Sequence, residues 1–300
     1  MVTCSICHHK KARLSFLKNN YQYYSCPKCK TFFLYPFPKK KELSIYYKKF
    51  TNSAISQERT IRKRSIRIID QLKKLSPCGK DLIDIGCGYG FLLDEARKKG
   101  LSVIGVEPSI SAFKYFKNIL KINGSNSNFE EFIKINRKKF DFVIFSHVIE
   151  HIKNPKNVIS QLSKLLKVNG ILYIETPNIN SHLFYEEKEN YTFLLPPEHL
   201  WLFSLNSFSY TIPSNLSMVK VNTTSQTEHF MGILKNKFKR HLLIDIVQTT
   251  KKTQGQIQKP TTILKKIKYL LLDKILAPLL TPLLNKNNLG SILQIYLRKK

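Results

Sequence analysis

Arginine is the first shortage. Only nine of the 50 basic residues are arginine, and acidic residues number just 20, which leaves a formal charge of +30. Bidentate recognition of phosphates and base edges favours the arginine fork. A charge carried by lysines scattered among asparagines and isoleucines, a pattern that biased codon usage also gives, reads first as a solvated surface. Attraction to an anionic membrane comes next, and direct nucleic-acid recognition after it. Uninterrupted apolar runs are missing as well. The N-terminal "MVTCSICHHKKARL" has no apolar core segment, so no secretory signal is expected and the chain is read as cytoplasmic. The segment 261–286, "TTILKKIKYLLLDKILAPLLTPLLNK", is broken by Lys265, Lys266, Lys268, Asp273, Lys274, Pro278 and Pro282 and is too interrupted to span a bilayer. Its apolar positions interleave with lysines. It is therefore expected to pack on the main domain, lie in an anionic membrane interface at the inner face of the membrane, or cover a cleft. No internal repeat stands out.

What is present begins with cysteine. In a reducing compartment, paired cysteines more often hold metal than form disulfides. Cys4 and Cys7 make one C-x-x-C and Cys26 and Cys29 another, with residues 8 to 25 between them. This is the spacing of a four-cysteine zinc ribbon; a redox pair or chance spacing is the competing reading. A closed shell of four thiolates leaves no open coordination position, so the expected zinc is structural. His8 and His9 are close enough to substitute but are read as solvated.

The chain divides into a ribbon at 1–38, a polar connection at 39–58 and a main domain at 59–300. With 42% hydrophobic residues, that domain can build a sizeable core. Apolar residues at Ile61, Ile66, Ile69, Leu72 and Leu75 recur at helical spacing. Strands are expected at 82–85, 101–107, 140–146 and 171–176. Helices are expected at 91–99, at 110–120 capped by Ser109, and at 155–168 capped by Asn154 and ended by Gly170. This alternation implies a parallel sheet with helices on both faces. A short helix follows in "FSLNSFSYTIPSN", then strands at 218–225 and 292–298 that flank a helix-prone insertion, 226–288.

The sharpest motif is "LIDIGCGYGFLL". Gly86, Gly88 and Gly90 allow a tight turn and close backbone approach to a ligand. A dinucleotide fold prefers G-x-G-x-x-G, with pyrophosphate at the helix N-terminus. Here the third glycine comes one residue early, and Asp84 stands inside the strand, where it opposes phosphate and favours a cation. Glu107, at the end of the next strand, is placed to take two ribose hydroxyls. The combination suits S-adenosylmethionine, which carries an amino acid, a sulfonium and a ribose but no phosphate. Cys87 is read as packed beneath the turn.

Taken together, "DIGCGYG", "VIGVEPS", "FDFVIFSHVIEHIKNPKNVISQLSKLLKVNGILYIETPN" and "EHLWLFSLNSF" resemble the class I S-adenosylmethionine-dependent methyltransferases, in the branch related to ubiquinone biosynthesis. The resemblance covers about residues 60 to 225 and resumes at "LGSILQIYLRKK". It implies a Rossmann-like, seven-stranded, mostly parallel sheet preceded by the ribbon. It also implies that Asp84, Gly86, Gly88 and Gly90 cradle the methionine end, that Glu107 takes the ribose and that Pro108 shapes the adenine edge. Asn128 and Phe129 would flank the adenine, and Ser146 and His147 would face the transferable methyl group. The ribbon start with "FFLYPFP" resembles a subgroup associated with surface-glycan and secondary-metabolite pathways.

Methyl transfer to a hydroxyl needs alignment and a proton acceptor. "SHVIEHI" places His147, Glu150 and His151 at offsets 0, 3 and 4, one face if helical. His199 of "PPEHLWLF" can join them. A general base, a divalent metal site like the E-x-x-E-H arrangement of some relatives, and simple bracing of the loop all remain open. His147 stands where that arrangement has its first acid, which argues against magnesium. Trp201, Phe203 and Tyr191 are candidate pocket walls or packed core. The leading functional reading is a methyltransferase for a small molecule or glycan intermediate. An RNA or protein methyltransferase and a non-catalytic zinc-binding adaptor compete with it. "SHVIEH" after the fourth strand matches neither the [DN]-P-P-[YF] element of adenine N-methyltransferases nor the Pro-Cys of cytosine C5 enzymes.

Overall fold

The structure, a computed structural model, describes residues 1–39, 42–43, 53–226, 229, 233 and 277–300. Strands β4 (Asp81–Ile85), β5 (Ser102–Val106), β6 (Gly124–Ser125), β7 (Phe140–Ser146), β8 (Leu166–Pro177), β10 (Leu216–Thr224) and β11 (Ile292–Lys299) form one seven-stranded sheet. Their order is β10-β11-β8-β7-β4-β5-β6. β11 alone is reversed relative to the other six strands. The expected Rossmann-like sheet is therefore present, and its order reverses on either side of β4. That reversal opens a crevice beyond the carboxyl ends of β4 and β7, where such sheets bind ligands.

Near-continuous apolar runs explain the central strands. Phe142, Val143, Ile144 and Phe145 are fully buried, as expected for a parallel strand covered on both faces. The helix α1 (Glu58–Leu75) buries Ser65, Ile68, Ile69 and Leu72. Ile66, assigned to the buried face from sequence, is exposed. Ser65 takes its place because its hydroxyl donates to the Ile61 carbonyl at 2.8 Å, which lets a polar residue sit in an apolar stripe.

Helix capping follows the sequence signals at Ser109 and Asn154, whose side chains accept from Ala112 N–H and Asn157 N–H. One boundary is corrected. The 155–165 helix stops at Leu165, and β8 begins at Leu166, so Gly170 lies inside the strand instead of ending the helix. Asn169 adopts φ 64° there, and the register passes from Phe140–Leu166 to Phe142–Ile171 through a bulge. A Cβ on Gly170 would meet the carbonyls of Lys167 and Asp141 at 3.0 and 3.1 Å. The glycine therefore admits the bulge.

Of the expected insertion, residues 277–280 form a helical turn and 281–288 a 3-10 segment kinked at Lys286 and Asn287. Most of 261–286 lies outside the described residues. Among the described residues, no helix is long and apolar enough to cross a membrane.

The N-terminal unit forms strands β1 (Arg13–Lys18), β2 (Tyr21–Ser25) and β3 (Phe32–Leu34). They continue into β9 (Trp201–Leu202), giving a four-stranded sheet ordered β1-β2-β3-β9. Ribbon and catalytic domain thus share strand pairing.

Candidate active site

The turn after β4 is set by geometry that side chains resist. Gly86 has φ +79°, and a Cβ there would lie 2.5 Å from Val148 Cγ2. Gly88 differs: a Cβ on it would meet nothing within 4 Å, so its free side faces open space. Its N–H donates to Glu107 Oε2 at 2.8 Å, and Ser109 N–H donates to Glu107 Oε1 at 2.8 Å. The acid beyond β5 is thereby aimed across the glycine turn. Cys87 packs against Gly105 of β5, and burial pushes its thiol well up, away from thiolate chemistry.

Three buried carboxyls and one partly exposed guanidinium gather at this end of the sheet. Asp84 is buried, and desolvation first, then the Glu107 and Glu175 charges, push it up to about 8 against the pull of Arg64. Burial also raises Glu107, opposed by its two backbone N–H donors. Glu175, fully buried in β8, accepts from Ser146 Oγ at 2.7 Å and Gln294 Nε2 at 3.1 Å. Burial would raise it, yet the Arg64 charge and these donors hold it below the ordinary carboxylate range. Arg64 Nη1 lies 3.8 Å from Glu175 Oε2 and 3.3 Å from His147 Nε2, while its buried Nε has no partner. The Arg64 side chain keeps 29% exposure, so part of the guanidinium stays open to an anionic group.

The adenine edge is expected at Pro108, Asn128 and Phe129, and the structure adds Asn126. Asn126 Nδ2 donates to the carbonyls of Glu107 and Pro108 at 2.8 and 3.1 Å. Asn128 caps the following helix through Glu131 N–H at 2.9 Å, and Phe129 is buried. Ser146 ends β7 with its hydroxyl spent on Glu175. Sequence reading missed Arg64, Glu175 and Asn126. An acid inside the apolar "ILYIETP" was the available signal for Glu175; nothing in the helical pattern distinguished Arg64 from its neighbours.

Beyond β7 the chain does not form the helix that "SHVIEHI" would need. His147 takes φ 54°, and only Ile149–His151 turn, as a 3-10 segment. The expected residues still converge. Glu150 Oε1 lies 3.3 Å from His147 Nδ1, and Glu150 Oε2 accepts from Thr176 Oγ1 at 3.0 Å. Glu150 is fully buried, which by itself would raise its carboxyl, but the histidine contacts outweigh this and hold it near 2. His151 and His199 rings stand 4.9 Å apart. His199 Nδ1 meets the Phe193 carbonyl at 2.8 Å, and burial lowers its imidazole to about 4, so it is neutral at pH 7.

Ligand atoms of Glu150, His151 and His199 lie within 4.8 Å of one another. One carboxylate and two imidazoles suit a nitrogen-preferring ion better than magnesium. Both Glu150 oxygens already have protein partners, which favours the bracing reading. Trp201, Phe203 and Tyr191 are fully buried and belong to the packed core rather than to a pocket wall.

The four cysteines fit zinc. Cys4 Sγ lies 3.7 Å from Cys29 Sγ, Cys7 Sγ lies 3.4 Å from Cys26 Sγ, and all four lie within 4.8 Å of one another. Four sulfurs at 2.3 Å from a tetrahedral ion stand about 3.8 Å apart. Both knuckles repeat one backbone pattern: His8 N–H donates to Cys4 O at 2.8 Å, and Lys30 N–H to Cys26 O at 2.9 Å. The contact with Cys29 draws the Cys4 thiol down to about 5, and the same contact together with burial pushes Cys29 up. Thiolate character of this kind is what a metal requires. His8 is exposed and stands outside the cluster.

Comparison with known proteins agrees with this geometry. A family profile described as a methyltransferase domain matches residues 58–209. The ubiquinone biosynthesis O-methyltransferase of Pelagibacter ubique is 37% identical over 110 residues, covering 34% of this chain and 45% of that protein. Its counterpart in Coxiella burnetii is 30% identical over 126 residues, covering 40% and 54%. The chain thus spans about half the length of the curated relatives it matches. Among solved structures, a plantazolicin methyltransferase, BpumL, in complex with a monoazolic desmethylPZN analogue and SAH aligns with TM-score 0.51 at 16% identity, covering 88% of this chain and 91% of that one. The related BamL complex with a triazolic analogue and SAH gives 0.50 at 20%, covering 87% and 91%. At such identities these structures speak for the fold alone. With its glycine turn, its partner acid beyond β5 and a sheet in which only β11 is reversed, this chain belongs to the methyltransferase domain family and carries the class I S-adenosylmethionine-dependent methyltransferase fold.

Proposed function

We propose that the protein transfers a methyl group from S-adenosylmethionine to a small polar acceptor. The observation that carries the reading is the acid pair at the glycine turn: Asp84 is buried in the strand before it, Glu107 accepts from the Gly88 N–H, and the Arg64 guanidinium stands nearby against His147 and Glu175. S-adenosylmethionine would supply an electrophilic methyl carbon on a sulfonium. The residues present suit its parts. Asp84 answers the ammonium group and Arg64 the carboxylate. Glu107 has lone pairs left for two hydroxyls, and Asn126 borders the ring edge. A phosphate-bearing cofactor would meet the Glu107 carboxylate at the turn as repulsion.

On the acceptor side, His147 is the most exposed candidate proton acceptor, and its Nε2 becomes free to act when Arg64, 3.3 Å away, turns to the donor's carboxylate. The His147 side chain keeps 30% exposure at the end of β7, whereas Glu150 has none and His199 has 7%. Glu150 behind Nδ1 fixes the ring's orientation, as a carboxylate does for a catalytic imidazole. A cavity of about 420 Å³ opens one helical turn from Arg64, bordered among the described residues by Gln57, Thr60, Leu183, Glu187, Thr192, Gln226 and His229. Six of these seven are hydrogen-bonding side chains. Such a lining favours a polar acceptor such as a sugar over a long apolar one.

The test is thermal. Saturating S-adenosylmethionine should raise Tm by several degrees, and Glu107→Ala should remove most of that rise. A folded wild type with no shift and no calorimetric binding would exclude the reading.

A further inference from the structure

Among the described residues, the ribbon's strand pairing to the main domain runs through 200–202, the segment that follows His199. β3 pairs antiparallel with β9, Phe32 opposite Leu202 and Phe33 opposite Trp201. Leu34 N–H donates to the Leu200 carbonyl at 2.9 Å, and Thr31 Oγ1 donates to the Leu202 carbonyl at 2.9 Å. Thr31 is also part of a cysteine knuckle, since its carbonyl accepts from Cys26 N–H at 2.9 Å. The buried Tyr23 of β2 reaches across 176 positions to donate its hydroxyl to the His199 carbonyl at 2.6 Å.

From there the contacts pass inward. Leu200 N–H donates to the Glu150 carbonyl at 2.8 Å. His151 Nδ1 bonds the Glu198 carbonyl at 3.0 Å, and Trp201 Nε1 donates to the Ile152 carbonyl at 2.8 Å. Phe33 and Phe37 pack on that indole with ring centroids 5.6 Å away. Thus 198–202 is clamped between β3 and the turn that carries Glu150 and His151.

We infer that zinc held by Cys4, Cys7, Cys26 and Cys29 positions Glu150, His151 and His199, with Tyr23 and β3 as the connecting pieces. The strands have six, five and three residues and lean on β9 for pairing, while the two cysteine knuckles have only the metal to join them, so the metal sets the order of the loop from which β3 starts. Releasing the metal frees the Cys26–Thr31 knuckle and with it β3. The residues 198–202 then lose their outer strand, and the 149–152 turn loses its backing. Asp84 and Glu107, by contrast, are held by β4, β5 and the glycine turn, with no hydrogen bond from the ribbon among the described residues. Tyr23 is therefore a positioning residue acting through His199. What the positioned triad is for rests on the methyl-transfer reading; the coupling itself does not.

Hydrogen exchange in the full-length chain tests it, comparing the zinc-loaded protein, the chelated protein and Tyr23→Phe, which keeps all four cysteines. Chelation should speed exchange at 148–152 and 194–202 by roughly tenfold or more, while 82–86 and 102–106 stay within about twofold. Tyr23→Phe should retain zinc, accelerate 194–200 by roughly tenfold through one orphaned buried carbonyl, and shift the His199 and His151 ring resonances. Its S-adenosylmethionine affinity should equal that of wild type. Unchanged exchange at 148–152 and 194–202 after zinc loss would overturn the coupling, as would uniform acceleration that includes 82–106. Unshifted histidine resonances in Tyr23→Phe would remove Tyr23 from the path. If the zinc-loaded wild type fails to bind S-adenosylmethionine, the methyl-transfer reading falls, while the exchange pattern still decides the coupling.

Discussion

Binding of S-adenosylmethionine should expel a proton, and Asp84 is the source. In the ligand-free crevice this carboxyl is pushed up to about 8, so at pH 7 it is about nine-tenths protonated. A ligand that brings an ammonium and a sulfonium beside it favours the carboxylate. If the bound value falls below 6, nearly the whole proton leaves, about 0.9 per chain at pH 7 and about 0.1 at pH 9. Isothermal calorimetry in buffers of differing ionisation enthalpy reads this number as the slope of apparent enthalpy against buffer enthalpy. Apparent affinity should also strengthen as pH rises toward 8, because the competing proton is lost. Asp84→Asn should bind more weakly and with a slope near zero. A wild type that binds with a zero slope at pH 7 would refute the charge logic of the crevice. The sign for stability runs the other way. An acid raised above its unfolded value stabilises the fold most below pH 4, and that contribution is lost as pH climbs from there to 8; the lowered His199 imidazole offsets the loss up to about pH 6.5, so the ligand-free Tm should fall between about pH 6.5 and 8.

Two further outcomes follow from the same contacts. Metal analysis should find about one zinc per chain, lost in Cys26→Ser; a folded, metal-free wild type would contradict the ribbon assignment. Arg64→Met should weaken S-adenosylmethionine binding by about 10- to 100-fold, the worth of a charge-assisted hydrogen bond, and affinity equal to wild type would show that another group takes the carboxylate.

The fold was legible because its strongest signals are local. Apolar runs gave the central strands, Ser109 and Asn154 gave helix starts, and C-x-x-C spacing gave the four-cysteine cluster. The glycine turn was legible for a physical reason: Gly86 at φ +79° beside Val148 admits no side chain. Long-range facts were not. Nothing in "RTIRKRSIR" says which arginine meets the end of β7, because that depends on how α1 crosses the sheet. Nor does "CPKCKTFFL" announce that its strand pairs with Trp201–Leu202, more than 160 positions away. The histidine cluster lies between these cases. Its members were readable by type, but their convergence came from a positive φ at His147 and a 3-10 turn instead of the helix the spacing implied.

The most direct test of the central claim is incubation of zinc-loaded protein with methyl-labelled S-adenosylmethionine and a cell extract separated into small-molecule, RNA and protein fractions. Label appearing in the small-molecule fraction, abolished by Glu107→Ala, is the predicted result. Label confined to RNA or protein, or no transfer into any fraction by a chain that binds the donor, would contradict it.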